Sequence, residues 1–166
     1  MKKLFLIRHA KSDWSIEGLT DIDRPLNKRG YTDAHLMGLF LKKYFSDKTI
    51  FVSSPAVRAI STALIFATEL GYKKEEILFA PEIYEAKAED LFRVIKKIVE
   101  PYENIFLFGH NPTISEVVAK MSGSPFMDLP TCCVSAFESE AKEWSDFLLH
   151  KPKLFIQLIP ADLKAE

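Results

Sequence analysis

The chain has 166 residues, of which 22 are basic and 23 are acidic, so its formal net charge is -1. This length predicts a single domain over residues 1–166, and the balanced charge excludes a global field that would recruit nucleic acid or an anionic membrane. No apolar run approaches the roughly 18 residues of a membrane-spanning helix. The two cysteines, Cys132 and Cys133, are adjacent. Because neighbours cannot form an ordinary disulfide, a reducing, cytoplasmic setting is favoured.

Short apolar runs alternate along the chain with stretches of helical periodicity, which is typical of an α/β fold. The runs KLFLIR (3–8), TIFVS (49–53) and NIFLFG (104–109) are apolar almost throughout, as strands covered on both faces should be. We expect them at the centre of a mostly parallel sheet in a three-layer α/β/α sandwich. CCVSAF (132–137) and KLFIQLI (153–159) predict two closing strands, antiparallel because the segment between them is too short for a helical crossover.

Four helices are predicted between these strands. The first begins after Asn27, a favourable N-cap, and the fourth ends at Gly123. The second has Ser54 as its predicted N-cap and Gly71 as its stop signal. Its predicted inward face consists of Val57, Ile60, Leu64 and Ala67. The third, AEDLFRVIKKIVE, carries acidic residues in its first turn, where they interact favourably with the helix dipole.

Polar residues of a restricted kind follow each central strand. They are Arg8 and His9 after the first strand, Ser53, Ser54 and Arg58 after the second, and Gly109, His110 and Asn111 after the third. The carboxyl ends of the strands define the ligand crevice of an open α/β sheet, so these side chains meet if the strands are neighbours. Helices beginning at Pro55 and Pro112 add free N–H groups and positive dipole ends. The sequence therefore predicts an anion site.

The chemistry of these residues favours phosphoryl transfer. The guanidinium groups of Arg8 and Arg58 match phosphate oxygens in geometry and remain charged. A neutral imidazole can attack phosphorus and form a covalent phosphohistidine, and nearby cations keep it neutral while stabilising the transferred oxygens. The residues alone leave His9 and His110 as equal candidates for the nucleophile. Because adjacent strand residues point to opposite faces, Arg8 and His9 can share one phosphate only if a turn begins near His9.

The motifs RHAKSDW, SSPAVRAISTA and GHNP, in this order, resemble those of the histidine phosphatase superfamily, which includes the phosphoglycerate mutases. Within it, DRPLNKRG and LPT resemble the SixA-type phosphohistidine phosphatases. The similarity extends from Leu6 to about Thr131 and implies a phosphoglycerate mutase-like fold. It also implies that His9 is the phosphorylated nucleophile. The other residues implied for the phosphate pocket are Arg8, Arg58 and His110, with Ser12 in a secondary binding role.

One departure and one ambiguity accompany this resemblance. Ala10 stands where most of the superfamily has glycine, so the backbone there should not need a positive φ. Glu85, in PEIYEAKAEDL, lies near the position of the general acid in ester-cleaving relatives, with Glu82 and Asp13 as alternatives. A phosphohistidine substrate has less need of an acid, because imidazole leaves phosphorus more readily than an alkoxide does. Arg24, in DRPLNKRG, either binds substrate or belongs to a turn before a capped helix.

Other chemistries find little support. Asp21 and Asp23 follow no apolar strand, and Pro25 stands where an aspartyl-phosphate enzyme would need a hydroxyl residue. No arginine follows Cys132 and Cys133, as a cysteine phosphatase would require. The four histidines lack carboxylate partners at ligand spacing, and the six glycines form no phosphate loop. We therefore expect no metal and no cofactor.

The sequence predicts a metal-independent phosphatase that acts on phosphohistidine of a protein, such as a histidine-containing phosphotransfer domain, through an intermediate on His9. The first alternative is a phosphatase or mutase acting on a small phosphorylated metabolite. The second is a phosphate-binding interaction module without catalysis. The absence of a long inserted lid between Ser54 and Gly109 favours an open site and a protein substrate.

Overall fold

A computed structural model describes residues 1–164 of the chain. Its centre is one six-stranded sheet in the order β3-β2-β4-β1-β5-β6. The strands are β1 (Lys2–Arg8), β2 (Thr49–Ser53), β3 (Leu78–Phe79), β4 (Asn104–Gly109), β5 (Val134–Ser139) and β6 (Lys153–Leu158). The first four strands are parallel, whereas β5 is antiparallel to both β1 and β6. The mostly parallel sheet and the antiparallel closing strands are confirmed.

Helices cover both faces of the sheet. They are α1 (Lys28–Phe40), α2 (Val57–Leu70), α3 (Ala88–Lys96), α4 (Thr113–Ser122) and α5 (Pro160–Lys164). One apolar cluster joins α1 and α2 to one face of the sheet, and a second joins α3 and α4 to the other. The predicted three-layer sandwich is therefore confirmed.

Alternation along the central strands explains why they read as continuous apolar runs. In β1, Phe5 and Ile7 pack toward α1 and α2, whereas Leu4 and Leu6 pack toward α3 and α4. All four side chains are fully buried. A strand with helices on both faces needs apolar residues at every position, because successive side chains point to opposite layers.

Helix α2 differs from its prediction. It begins at Val57 after Ala56, and the Ser54 hydroxyl accepts a hydrogen bond from the Ala56 amide at 3.2 Å in the preceding turn. Val57, Ile60 and Leu64 are only half-buried. The buried residues are Arg58, Ala59, Thr62, Ala63, Ile65, Phe66, Ala67 and Leu70, so of the predicted set only Ala67 was right. The helix is apolar on most sides, and its buried face includes the small side chains of Ala59, Ala63 and Ala67.

The start of α1 is confirmed and packs against the segment that follows His9. The Asn27 side chain accepts a hydrogen bond from the Gly30 amide at 2.8 Å, as an N-cap does. A Cβ atom at Gly30 would lie 2.2 Å from the carbonyl oxygen of Lys11. Glycine at this position therefore allows the first turn of α1 to contact the backbone directly after the RHA motif.

Candidate active site

The three strand ends with polar residues are neighbours, as predicted. Strand β4 lies between β1 and β2, with Gly109 opposite Arg8 and Phe108 opposite Ser53. Strand β1 ends at Arg8, and the next amide, that of His9, donates to the carbonyl oxygen of Gly109 at 3.0 Å. The loops after β1, β2 and β4 therefore meet at one edge of the sheet.

The Ala10 amide marks the departure of the chain from the sheet, since it donates to the Thr62 hydroxyl of α2 at 3.0 Å. Thr62 in turn donates to the carbonyl oxygen of Arg58 at 2.8 Å. Ala10 is fully buried and is not among the residues with a positive φ, so that prediction is confirmed. Thr62 therefore links the segment that carries His9 to the helix that carries Arg58.

The imidazole of His9 is held in one tautomer. Its Nδ1 atom lies 2.7 Å from the carbonyl oxygen of Ala10. A carbonyl can only accept, so in the neutral ring Nδ1 carries the hydrogen and Nε2 the lone pair. Burial lowers the pKa of His9 to about 3, with smaller contributions of the same sign from His110, Arg58 and Arg8. His9 is therefore a neutral imidazole at neutral pH.

The second histidine faces the first. The ring centroids of His9 and His110 are 5.2 Å apart, and His110 Nε2 lies 2.7 Å from the Ser54 hydroxyl. Burial, followed by the charge of Arg58, lowers the pKa of His110 to about 4. Its Nδ1 atom is buried and has no hydrogen-bond partner within residues 1–164. The loop after β4 thus contributes an oriented ring nitrogen to the site.

Loop carbonyl groups hold both arginines of the site. Arg8 Nη1 donates to the carbonyl oxygen of Leu129 at 2.6 Å, and Arg58 Nη1 donates to that of Asp21 at 2.6 Å. The Nε atoms of both arginines are buried without a partner in the described part of the chain. Buried polar groups are normally hydrogen-bonded. Together with His110 Nδ1, these atoms make a set of polar nitrogens suited to an oxyanion ligand.

The carbonyl group that holds Arg8 is itself fixed by the start of α4. The side-chain nitrogen Nδ2 of Asn111 donates to this carbonyl oxygen of Leu129 at 2.9 Å. The Ser115 hydroxyl donates to the side-chain oxygen of Asn111 at 2.9 Å and accepts from the Leu129 amide at 3.0 Å. Asn111 was predicted at this edge of the sheet, as part of the GHNP motif, but without a specific role. No pattern in the sequence indicated Ser115.

Asp21 contacts two arginines at the site, although its position in the sequence predicts no chemical role. It lies on the short 3₁₀ turn Asp21–Asp23, and its Oδ2 atom accepts from Arg58 Nη2 at 3.0 Å and from the Tyr84 hydroxyl at 2.7 Å. Its Oδ1 atom accepts from Arg24 Nη2 at 3.1 Å. The Tyr84 ring packs edge-on against His110, with centroids 5.6 Å apart. The short spacing between Asp21 and Arg24 is the feature of the sequence that could have indicated this ion pair.

Arg24 and Ser12 adjoin this cluster. Arg24 Nη1 donates to the Ser12 hydroxyl at 2.6 Å, and the guanidinium carbon lies 3.5 Å from the centroid of the exposed Trp14 ring. Ser12 is buried and pairs with Leu26 in an isolated bridge. Arg24 therefore links Ser12 to the Asp21 carboxylate.

The candidate general acids lie at the periphery. Glu85 is exposed, has a φ of 53°, and makes no side-chain hydrogen bond within residues 1–164. Glu82 is exposed in a neighbouring 3₁₀ turn. The Asp13 carboxylate accepts from the amide and hydroxyl of Ser15 on its own loop. No contact in the described part of the chain connects any of the three to the two histidines.

Within residues 1–164, neither the cysteines nor the acidic residues form a reactive thiol site or a metal site. Cys132 and Cys133 are free and buried, and burial raises the pKa of Cys133 to about 11 and that of Cys132 still further. Among residues 1–164, no group of three or more histidine, cysteine, aspartate and glutamate residues could hold a metal ion. No helix in the same range is long and apolar enough to cross a membrane.

Comparison with known proteins identifies the class that this fold and site define. The family model of the histidine phosphatase superfamily (branch 1) matches residues 4–92, more than half of the chain. The chain is 29% identical over 160 residues to an uncharacterised chloroplastic protein of Arabidopsis thaliana, covering 91% of this chain and 73% of the relative. The chain therefore belongs to the histidine phosphatase superfamily, a class of phosphatases, as its motifs predicted.

Solved structures narrow the likeness to the SixA type. SixA from Agrobacterium tumefaciens matches with a TM-score of 0.80 at 25% identity, over 96% of this chain and 98% of that one. The protein histidine phosphatase SixA complexed with tungstate matches with a TM-score of 0.81 at 18% identity, over 97% and 99%. The fold is thus phosphoglycerate mutase-like and of the compact SixA type.

Proposed function

We propose that this protein hydrolyses phosphohistidine on a protein substrate through a covalent phosphoryl intermediate on Nε2 of His9. The observation that carries the proposal is the state of the His9 ring. It is buried and neutral, its Nδ1 hydrogen is donated to Ala10, and its Nε2 lone pair remains for attack. His9 is also the nucleophile that the family motif implies.

In the first step, the Nε2 lone pair forms a bond to phosphorus while the P–N bond to the substrate imidazole breaks. The departing imidazole takes its proton from solvent. In the second step, a water oxygen forms a bond to phosphorus, the P–Nε2 bond breaks, and inorganic phosphate leaves as His9 returns to its neutral form. Arg8, Arg58 and His110 bind the transferred oxygens, whose charge they stabilise in both transition states. We assign the positive charge to the two arginines, with His110 as a neutral hydrogen-bonding group, and propose that no metal takes part.

The form of the site supports a protein substrate. Between Ser54 and Gly109 the chain forms α2, β3 and α3 with short turns, and none of these segments is an inserted lid. Trp14 and the Asp21 side chain remain 73% and 52% exposed beside the buried pocket residues. A phosphohistidine that projects from a folded partner, such as a histidine-containing phosphotransfer domain, could reach such an open site. The buried free thiols of Cys132 and Cys133 suit a reducing compartment such as the cytoplasm.

Glu85 supports a second candidate, hydrolysis or isomerisation of small phosphorylated metabolites. It follows Tyr84, whose ring contacts His110, so it lies on the loop that borders the second histidine. We propose Glu85 as the proton donor for ester substrates, which release an alkoxide and need one. A phosphate-binding module without catalysis is the remaining alternative.

Matched substrates distinguish these functions. The full chain is incubated with a phosphotransfer domain phosphorylated on histidine and, separately, with p-nitrophenyl phosphate and a sugar phosphate, with and without a chelator. We expect the highest kcat/KM for the phosphorylated domain, no effect of the chelator, and loss of turnover in His9→Ala. Preference for the small esters would support the second candidate. Binding of phosphate without turnover of any substrate would support the third.

A further inference from the structure

The carboxylate of Asp21 is bound as an oxyanion ligand would be. It receives four donors: Arg58 Nη2 at 3.0 Å, the Tyr84 hydroxyl at 2.7 Å, and Arg24 Nη2 and Nε at 3.1 and 3.3 Å. A carboxylate offers about four lone-pair sites, so all of its acceptor capacity is in use. Tyr84, then Arg58 and Arg24, lower the pKa of Asp21 far below its usual range, and the group is an anion at neutral pH.

The arginines do not depend on this carboxylate for their positions. Arg58 also donates to the main-chain oxygen of Asp21 at 2.6 Å, and Arg24 is held by the Ser12 hydroxyl and by Trp14. The Arg58 and Arg24 side chains are 7% and 11% exposed, whereas that of Asp21 is 52% exposed. The anion is thus the accessible partner, and a change of its side-chain torsion would release both guanidinium groups without moving the backbone.

We infer that Asp21 is a resident counter-anion that a phosphoryl group must displace from Arg58 and Arg24, and that it thereby limits retention of the phosphate product. This inference rests on the phosphate pocket of the proposed function. A pocket with three guanidinium groups and no acid would retain inorganic phosphate, the reaction product. By competing for the same donors, Asp21 disfavours the free phosphate dianion, which has no further contacts to compensate. A substrate pays the same increment of free energy, but its contacts beyond the phosphoryl group keep it bound.

Asp23 provides a matched control on the same turn. Its carboxylate accepts from the Thr20 hydroxyl at 2.9 Å and makes no ion pair with an arginine within residues 1–164. Asp21→Asn and Asp23→Asn therefore remove the same charge from neighbouring positions, but only the first removes a competitor from the guanidinium groups. Asparagine keeps the shape and one acceptor oxygen, so the Tyr84 and Arg58 contacts are not all lost.

Calorimetric titration of the full chain with inorganic phosphate tests the inference. Removal of one negative charge beside a bound dianion should tighten phosphate binding about threefold to tenfold in Asp21→Asn, and change it less than about twofold in Asp23→Asn. The inhibition constant of phosphate in turnover should fall by the same factor. Asp21→Ser serves as a second variant, and thermal unfolding checks that each variant is folded.

Equal or weaker phosphate binding by Asp21→Asn and Asp21→Ser, or equal tightening by Asp23→Asn, would overturn the inference. The measurement needs no phosphohistidine substrate. If the wild-type protein hydrolyses no phosphohistidine but Asp21→Asn still binds phosphate more tightly, the proposed function fails and the inference stands. If the wild-type protein hydrolyses phosphohistidine but Asp21→Asn does not bind phosphate more tightly, the proposed function stands and the inference fails.

Discussion

His9 donates its Nδ1 hydrogen to the carbonyl oxygen of Ala10, the next residue, at 2.7 Å. The ring of the proposed nucleophile is therefore oriented by its own backbone, in the segment where the chain leaves the sheet. Since Ala10 is fully buried and its amide is bonded to Thr62, the carbonyl group has little freedom to turn away. The tautomer of His9 thus depends on the position of a buried turn.

Acid sensitivity of the fold follows from the buried histidines. An ordinary histidine has a pKa of 6.5, but folding lowers that of His9 to about 3 and that of His110 to about 4. Below about pH 6.5 the unfolded chain binds protons at these two histidines that the folded chain does not bind. The free energy of unfolding is therefore highest above that pH and decreases as the pH falls. Between about pH 7.5 and about pH 5, the free energy of unfolding should decrease by about 1–2 kcal/mol less in His9→Asn than in the wild-type protein.

Urea unfolding followed by circular dichroism at both pH values measures this difference. His150→Asn is the control, because His150 is exposed and should leave the profile of the wild-type protein unchanged. An identical loss of stability in wild type and His9→Asn would show that His9 is not buried in its neutral form.

Thr62 should matter for both stability and activity. Thr62→Val removes the acceptor of the Ala10 amide and leaves this buried N–H group without a partner, at a cost of about 1–3 kcal/mol. Because that amide belongs to the turn that carries His9, kcat should fall as well. Thr68→Val is the control, since Thr68 makes the same bond to a helix carbonyl but is exposed. Equal effects of the two substitutions on the free energy of unfolding would contradict the role of Thr62.

Sequence was sufficient where local chemistry decides the structure. The apolar run up to Arg8 predicts where β1 ends, because the positions between two helical layers need apolar side chains and this run stops at Arg8. Asn27 predicts the start of α1 through its own side-chain hydrogen bond. Arg8, Arg58 and His110 lie at or just after the ends of β1, β2 and β4. They converge because these three strands are neighbours in the sheet.

Ser115 should act on substrate binding through Arg8. Ser115→Ala removes the hydroxyl that joins Asn111 to the Leu129 amide, so the segment whose carbonyl group holds Arg8 is fixed less firmly, although the bond from Asn111 remains. We expect KM for p-nitrophenyl phosphate to rise about threefold to tenfold, with a smaller change in kcat.

Ser122→Ala is the matched control for Ser115, since Ser122 lies on the same helix and bonds only to the carbonyl groups of its own helix. Steady-state kinetics and phosphate affinity are measured for both variants. A loss of thermal stability in Ser115→Ala without any change in KM would mean that the network serves the fold alone.

Glu85 should distinguish esters from phosphoramidates. If it protonates the leaving group, Glu85→Gln should lower kcat for an alkyl phosphate about a hundredfold. Hydrolysis of phosphohistidine should change much less, because imidazole needs no such acid. Glu82→Gln, at the neighbouring alternative acid, shows whether the effect belongs to Glu85 or to Glu82. An equal effect on both substrates, or none on the ester, would remove Glu85 from the mechanism.

The rest of the site depends on contacts between distant loops. The Asp21 carboxylate meets Arg58 and Tyr84 across 37 and 63 residues of sequence, and none of the three lies in a periodic pattern that would reveal the contact. The inward face of α2 was missed for a different reason. Its residues are apolar on most sides, so periodicity could not separate the predicted Ile60 from the buried Ala63.

Trapping of the phosphoryl intermediate tests the account most directly. Wild-type protein is mixed with a phosphotransfer domain phosphorylated on histidine and quenched in alkali, where phosphohistidine survives, and the phosphate is located by mass spectrometry. We predict phosphate on His9 in the wild-type protein, none in His9→Asn, and loss of turnover in that variant. Phosphate on His110, or wild-type turnover by His9→Asn, would contradict the assignment of His9 as the nucleophile.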